Sequence, residues 1–146
     1  MLHVAQFISA LACGLFTGAA IYINLVEHPA RMSSSTEIAA TVWAPSYKRA
    51  TVMQASLAVF SSTGAVLAWL LGGGLWWLVG GIIIFLVVPF TLLVINPINH
   101  QLLAPGRDLR SSETRLLLHR WGKFHAVRSL LSGIAVIIFL TLLKTS

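Results

Sequence analysis

The chain has 146 residues, of which 57% are hydrophobic and only 10% are charged. No Asp, Glu, Lys or Arg occurs in residues 1–26 or 50–106. Because a water-soluble domain needs charge on its outward faces, this distribution excludes a soluble fold and indicates an integral membrane protein. The net charge of +6 comes from basic residues concentrated in two loops and at the start of the last helix. This placement is typical of membrane topology and does not favour a nucleic-acid-binding face.

Four apolar stretches reach the length of about 20 residues that a helix needs to cross a bilayer. They cover about residues 4–26, 52–71, 75–95 and 124–143, and the last is expected to lie in a helix over about residues 111–143. Gly72-Gly73-Gly74 predicts a tight hairpin between the second and third helices, since three glycines break a helix. Cys13 is the only cysteine, so no internal disulfide can form. The sequence therefore predicts one all-α domain over residues 1–146, a four-helix transmembrane bundle.

The basic residues give the expected orientation. Three Lys or Arg residues lie in the loop over residues 27–51 and five in the stretch over residues 97–123, whereas the N-terminus and the glycine hairpin carry none. By the positive-inside rule, both long loops face the cytoplasm and both termini lie on the non-cytoplasmic side. The start of the chain lacks the positive charge of a signal peptide, so the first helix is expected to stay in the mature protein. We expect a multi-pass protein of a bacterial inner membrane.

Two capping patterns lie in these loops. Ser34-x-x-Glu37 has capping-box spacing and predicts a short interfacial helix before Pro45. Ser111-Ser112-Glu113 predicts the start of a helix that continues to the C-terminus and projects beyond the membrane at its beginning.

Polar side chains recur at helical spacing at one end of the predicted bundle, the cytoplasmic end in this topology. The sets are Asn24, Glu27, His28 and Arg31 on the first helix; Tyr47, Thr51, Gln54 and Ser61 on the second; Asn96, Asn99 and His100 on the third; and Trp121, His125 and Arg128 on the fourth. Each set alone is explained by charges or aromatic anchors at the headgroups. Polar groups in hydrocarbon turn towards partners or a cavity, however, and all four sets reach the same depth. Their convergence predicts a polar pocket that opens to the cytoplasmic side.

Four motifs carry a resemblance over nearly the whole chain. They are Glu27-His28-Pro29-Ala30-Arg31, Trp43-Ala44-Pro45-Ser46-Tyr47, Asn96-Pro97-Ile98-Asn99 and Trp121-x3-His125-x2-Arg128. In order and spacing they resemble the small four-helix membrane proteins of the anthrone oxygenase-like family (DUF1772). The resemblance implies oxidation of an anthrone to an anthraquinone by O2, without a cofactor or a metal.

The same resemblance implies roles for the polar residues. Such a reaction needs a base for the acidic C–H, a donor for the developing oxyanion and an apolar cavity that excludes water. His125 or His28 is the expected base, and Glu27 is expected to orient it. Arg128 and Asn99 are expected to stabilise the enolate oxygen, with Trp121 and Tyr47 stacked on the rings. The further substrate-binding candidates are Gln54, Arg31, Asn96 and His100. The expected partners are an apolar small molecule, O2 and membrane lipid, with no nucleic acid; a homo-oligomer is left open.

Two alternatives stay open at this point. A metal- or haem-binding redox protein would use His28, His100 and His125 with Glu27 as ligands, although no two of these histidines show a recognised ligand spacing. A non-catalytic membrane protein would bind a lipid, a small ligand or a partner in the same pocket. Polar groups at only one end of the bundle favour a one-sided pocket over a transport path.

Overall fold

The computed structural model describes residues 1–145, and within them every regular element is helical. Four helical segments are each long and apolar enough to cross a membrane, which confirms the predicted all-α bundle and marks a multi-pass membrane protein. They are α1 (Leu2–Met32), α2 (Thr36–Gly73), α3 (Leu75–Leu102) and α4 (Ser112–Thr145). Which side of the membrane the termini face stays a prediction. The end that carries the α1–α2 and α3–α4 loops is called the basic end below.

Helix α2 is much longer than the predicted second span. Ser35 caps it, since its hydroxyl oxygen accepts a hydrogen bond from the Ile38 amide at 3.4 Å. The helix then continues through Pro45, which lies on an exposed face. The expected short interfacial helix and the second span are therefore one element. The glycine hairpin is present as predicted, with positive φ at Gly72 and Gly74.

Three turns are wider than a regular α-helix: Ile23–Glu27 within α1, Trp69–Gly73 at the end of α2, where Gly72 leaves helical geometry with positive φ, and Thr91–Ile95 within α3. The first and third each end two residues before a proline, Pro29 and Pro97 respectively. Proline has no amide hydrogen to donate to the carbonyl four residues earlier, so a wider turn before it rearranges the local hydrogen bonds. Both turns lie beside the polar side chains of the basic end. They shift those side chains away from the positions that a regular helix would give.

The bundle has two apolar cores with small-residue contacts between helices. One core surrounds Phe16, Trp77 and Phe139, and the other, near the basic end, surrounds Trp43 and Trp121. Helix α1 packs against α2 and α4, and α3 also packs against α2 and α4. This arrangement brings all four helices around one axis.

Two serines join α1 to α2 inside the bundle. The Ser9 hydroxyl donates to the Ser61 carbonyl at 2.8 Å, and the Ser61 hydroxyl donates to the Ser9 carbonyl at 3.0 Å. Small side chains let the two backbones approach this closely, and each buried hydroxyl is satisfied.

At the basic end, arginines hold the α1–α2 loop against the start of α4. Arg115 donates to the Met32 carbonyl at 2.7 Å and to the Ser34 carbonyl at 3.2 Å. Arg110 forms a bidentate pair with Glu37 at 2.8 and 3.1 Å, and the hydrogen bonds to Glu37 raise the pKa of the Arg110 guanidinium. The Arg110 pair is exposed, so screening leaves it a minor source of stability.

Two helical glycines give a test of this packing. A Cβ at Gly80 would collide with the ring of Phe139, which is fully buried and stacked on Trp77 at 5.2 Å between ring centroids. Because the ring has no room to retreat, we expect Gly80→Ala to destabilise the bundle by about 1–3 kcal/mol. Thermal unfolding in detergent measures this as a lower midpoint. Gly133→Ala is the matched control, since a Cβ there meets nothing within 4 Å and gains about 1 kcal/mol of helix propensity. Equal midpoints for the two variants would contradict the packing.

Candidate active site

Asn24 links α1 to α4 in the middle of the polar cluster. Its amide nitrogen donates to the Gly122 carbonyl at 3.0 Å. Its amide oxygen lies 2.7 Å from Nδ1 of His125 and accepts a 2.7 Å hydrogen bond from the Ser129 hydroxyl. Because a backbone carbonyl only accepts hydrogen bonds, the Gly122 contact fixes which end of the amide is the nitrogen.

This orientation determines the tautomer of neutral His125. The Asn24 oxygen cannot donate, so Nδ1 of His125 must carry the hydrogen that joins them. The other ring nitrogen, Nε2, then holds the lone pair in the neutral ring. It is buried and has no hydrogen-bond partner. The imidazole is therefore held by one nitrogen and presents the other as a free base.

One turn deeper, Arg128 reaches across to α2. Its Nη2 donates to Oε1 of Gln54 at 2.6 Å, and its guanidinium carbon lies 5.5 Å from the centre of the Phe16 ring. Both Arg128 and Gln54 are buried, at 7% and 1% exposure. Nε of Arg128 and Nε2 of Gln54 are buried donors without a partner. The Arg128 cation thus keeps one unpartnered N–H of its own beside the unpartnered amide nitrogen of Gln54, and no side-chain carboxylate within residues 1–145 contacts it.

Aromatic rings cover His125 on the side that faces the basic end of the bundle. Trp121 stacks on His125 with 4.9 Å between ring centroids, and its other neighbours are His28 at 5.3 Å and Trp43 at 5.8 Å. Tyr47 stacks on Trp43 at 5.0 Å. These rings cover the imidazole and pack against one another, and Trp43 and Trp121 are themselves buried.

Glu27 occupies a separate network nearer the loop. Its carboxylate pairs with Arg31 and accepts a hydrogen bond from the Ser46 hydroxyl at 2.5 Å. Arg31 also contacts the Ser46 oxygen at 3.3 Å. The hypothesis that Glu27 orients a histidine therefore differs from the structure, in which Asn24 holds His125. The reason is spacing, because Arg31 is four residues after Glu27 and takes its charge locally.

Two cavities share Thr51, Gln54 and Arg128 in their linings, and they are called the polar cavity and the apolar recess below. The polar cavity has a volume of about 10 Å³, and the apolar recess, between α2 and α3, has a volume of about 120 Å³. The polar cavity is lined by Ile23, Arg31, Ser46, Tyr47, Ala50, Thr51, Gln54, Trp121, His125 and Arg128. The apolar recess is lined by Phe16, Thr51, Gln54, Ala55, Ala58, Val87, Val88, Thr91, Leu92 and Arg128. The polar cavity has room for about one water molecule, so a tricyclic ring does not fit within it as it stands.

Unpartnered polar atoms mark the same region. Among residues 1–145, ten buried side-chain nitrogen or oxygen atoms have no hydrogen-bond partner, and all of them belong to residues in the half of the bundle nearer the basic end. They are His28 Nδ1, Arg31 Nε and Nη1, Trp43 Nε1, Gln54 Nε2, Asn99 Nδ2 and Oδ1, Trp121 Nε1, His125 Nε2 and Arg128 Nε. Folded proteins rarely leave such atoms unpaired, so their concentration here indicates a place where polar ligand atoms or water bind.

The structure brings most, but not all, of the predicted residues together. Six of them line the polar cavity: Arg31, Tyr47, Gln54, Trp121, His125 and Arg128. His28 packs on Trp121, and Asn99 is buried on α3 with both amide atoms unpartnered. Asn96 is half-buried and His100 is exposed, and neither lines the polar cavity.

Three positions that were not among the predicted site residues help to build the site. Asn24 belongs to the polar set predicted on the first helix but was given no role, and Ser129, four residues after His125, could have been found by the same helical spacing. Gly122 has no such signal, because its role is the absence of a side chain. A Cβ there would lie 2.5 Å from Nε2 of His28, so only glycine lets that ring pack against α4.

The metal alternative has no assembled ligand set in the part of the chain that the structure describes. No group of three or more His, Cys, Asp or Glu side chains within residues 1–145 could hold a metal ion. His100, one of the ligands that this alternative needs, is exposed. The described residues therefore do not fit a three-ligand metal centre.

The Asn24 contact predicts a defined tautomer that NMR can detect. In protein labelled with ¹⁵N-histidine, we expect neutral His125 to carry its hydrogen on Nδ1. Asn24→Ala removes the amide oxygen that accepts from Nδ1 of His125, and should therefore shift neutral His125 towards the tautomer with its hydrogen on Nε2. Ser129→Ala is the matched control, since it removes the other hydrogen bond to the same oxygen and leaves the His125 contact. A tautomer unchanged by Asn24→Ala would show that Asn24 does not set it.

Comparison with known proteins places the chain in a family. A family model described as anthrone oxygenase matches residues 43–138, about two thirds of the chain. The matched part includes His125, Arg128 and Gln54 and leaves out Asn24 and Glu27 on α1. No curated protein and no solved structure matches the chain. Because the family model covers about two thirds of the chain, including the imidazole of His125 and the buried guanidinium of Arg128, the chain belongs to the anthrone oxygenase family.

Proposed function

We propose that the protein is a membrane enzyme that oxidises an apolar, anthrone-type aromatic substrate with O2 and uses no cofactor. One observation carries the proposal. The free Nε2 of His125 and the carboxylate-free guanidinium of Arg128 line the same small, buried cavity. A base and an unneutralised cation suit the removal of a proton from a carbon conjugated with a carbonyl group, such as the CH2 carbon of anthrone, which lies across the central ring from the carbonyl.

The reaction can be written from these groups. Nε2 of His125 takes a proton from the CH2 carbon of the anthrone, and the electron pair of that C–H bond moves into the ring system as an enolate. The enolate oxygen accepts hydrogen bonds from Arg128 and Gln54. Because this anion is electron-rich, it transfers an electron to O2, and recombination forms a carbon–peroxide bond.

The remaining steps return the proton and release water. The imidazolium of His125 protonates the peroxide, and loss of the second C–H proton breaks the O–O bond, so that hydroxide leaves and a carbonyl group forms. Hydroxide and a proton combine as water. In sum, anthrone and O2 give anthraquinone and water: the carbon loses four electrons, and O2 gains four.

The surroundings support this chemistry through exclusion of water. His125 is fully buried, and Trp121 covers one face of its ring. In a site of low polarity, a fixed cation stabilises a developing oxyanion more strongly than it would in water. A non-catalytic ligand-binding protein would share the buried cation but would have no use for a free imidazole nitrogen beside it.

Oxygen consumption tests the proposal. Purified, chelator-treated protein in detergent should consume O2 with anthrone above the spontaneous rate, and His125→Ala should lower that excess about 100-fold or more. His3→Ala is the matched control, because His3 lies at the opposite end of the bundle, where its ring nitrogen Nδ1 is 3.2 Å from the amide oxygen of Gln6. His28→Ala, measured in parallel, shows which of the two predicted imidazoles is the base.

Two results would contradict the proposal. Equal uptake by wild type and His125→Ala, with both proteins monodisperse, would remove the imidazole from the mechanism. Uptake that chelation abolishes and added metal restores would favour the metal-dependent alternative.

A further inference from the structure

The acidic residues of the chain leave Arg128 without a counter-charge. The sequence has four Asp and Glu residues. Their partners lie elsewhere: Arg31 and Ser46 for Glu27, Arg110 for Glu37, the Arg110 amide for Asp108, and Arg107 for Glu113. A buried cation that its own chain does not neutralise is costly, and an anionic ligand would compensate for it.

Two unpartnered N–H groups, one of Arg128 and one of Gln54, are available to an oxygen anion. Since Oε1 of Gln54 accepts from Arg128 Nη2, the Gln54 amide nitrogen is left as an unpartnered donor. Nε of Arg128 is a second one. Both residues line the wall between the polar cavity and the apolar recess. A ligand oxygen at this wall would meet charged and neutral donors together.

The apolar recess has a volume of about 120 Å³, compared with about 10 Å³ for the polar cavity, so it is the larger of the two spaces beside Arg128. Its outer rim includes Ala55 on α2 and Leu92 on α3, both exposed on the outside of the bundle, where the spans face lipid. Its floor is formed by Phe16, Ala58 and Val87, which are buried. The recess therefore leads from the lipid-facing surface directly to Arg128 and Gln54.

We propose that the apolar recess binds the ring system of the substrate and admits it from the lipid, and that the substrate oxygen held as the anion by Arg128 and Gln54 is the one that becomes the enolate oxygen. This inference rests on the proposed function for the identity of the ligand as a substrate. It adds the side from which the substrate enters, the helices between which it passes and the place, at the inner wall of the recess, where the enolate oxygen is held. Charge complementarity at the inner wall and apolar lining along the walls argue for this occupant over a neutral lipid chain.

Binding of a probe tests the inference without turnover. The probe is anthracene-9-carboxylate, a fused tricyclic anion, measured by equilibrium dialysis against protein in nanodiscs, with partition into empty nanodiscs subtracted. We expect Ala55→Trp, which fills the rim, and Arg128→Gln, which removes the cation, each to weaken binding about tenfold or more. The uncharged isostere 9-anthracenemethanol should bind wild type about tenfold less tightly than the anion.

The chain offers a matched control and a second block. Ala126→Trp places the same side chain on the exposed face of α4, one residue after His125 and outside the lining of the recess, and should leave affinity unchanged. Leu92→Trp blocks the recess from α3 and is used if Ala55→Trp is not monodisperse. Equal affinities for the rim-blocked and Ala126→Trp proteins, or equal affinities for the anion and its uncharged isostere, would overturn the inference.

The outcomes separate this inference from the proposed function. Recess-dependent binding of the anion without any oxygen uptake would retain the binding site and refute the oxygenase. Histidine-dependent uptake with binding indifferent to Ala55→Trp would retain the oxygenase and refute entry through the recess.

Discussion

In a lipid-facing bundle of this composition, every polar side chain within the membrane must find its partner inside the protein. Most of the chain obeys this constraint through local pairs, such as the reciprocal serines of α1 and α2 or the Thr91 hydroxyl on the Val87 carbonyl. The basic end departs from it, because ten buried polar atoms there lack partners. Buried polar groups without partners are expected where a ligand binds, and this protein concentrates them at one end.

The site depends on a chain of fixed orientations that starts from the backbone. The Gly122 carbonyl orients the Asn24 amide, the amide orients His125, and the ring is left with one free nitrogen. Across the cavity, Gln54 holds Arg128 in place with a neutral oxygen, so the guanidinium is positioned without being neutralised. Preorganised groups of this kind stabilise charge in a reaction without first having to rearrange. In the function proposed here, a substrate places only its reacting edge in this small polar cavity and keeps its rings in the apolar recess.

Much of this could be predicted from the sequence, since apolar length and glycine position determine four spans and one hairpin. Helical spacing also identified the polar sets, because residues three and four apart share a face. Spacing could not tell how α1 and α3 turn at Pro29 and Pro97, so the burial of Asn99 and the exposure of His100 required the structure. It also could not assign partners: Glu27 has a cation four residues away, and Asn24 rather than a carboxylate holds the imidazole. The contribution of Gly122 lies in a missing side chain, which no residue pattern reveals.

The most direct test of the account is an experimental structure of the protein with anthracene-9-carboxylate bound. The account predicts the carboxylate within hydrogen-bonding distance of Arg128 and Gln54, with the ring system against Ala55 in the apolar recess. The ring carbon opposite the carboxylate should face the polar cavity that contains Nε2 of His125. A probe bound by exposed arginines at the surface of the basic end, with the recess and the polar cavity unchanged, would contradict it.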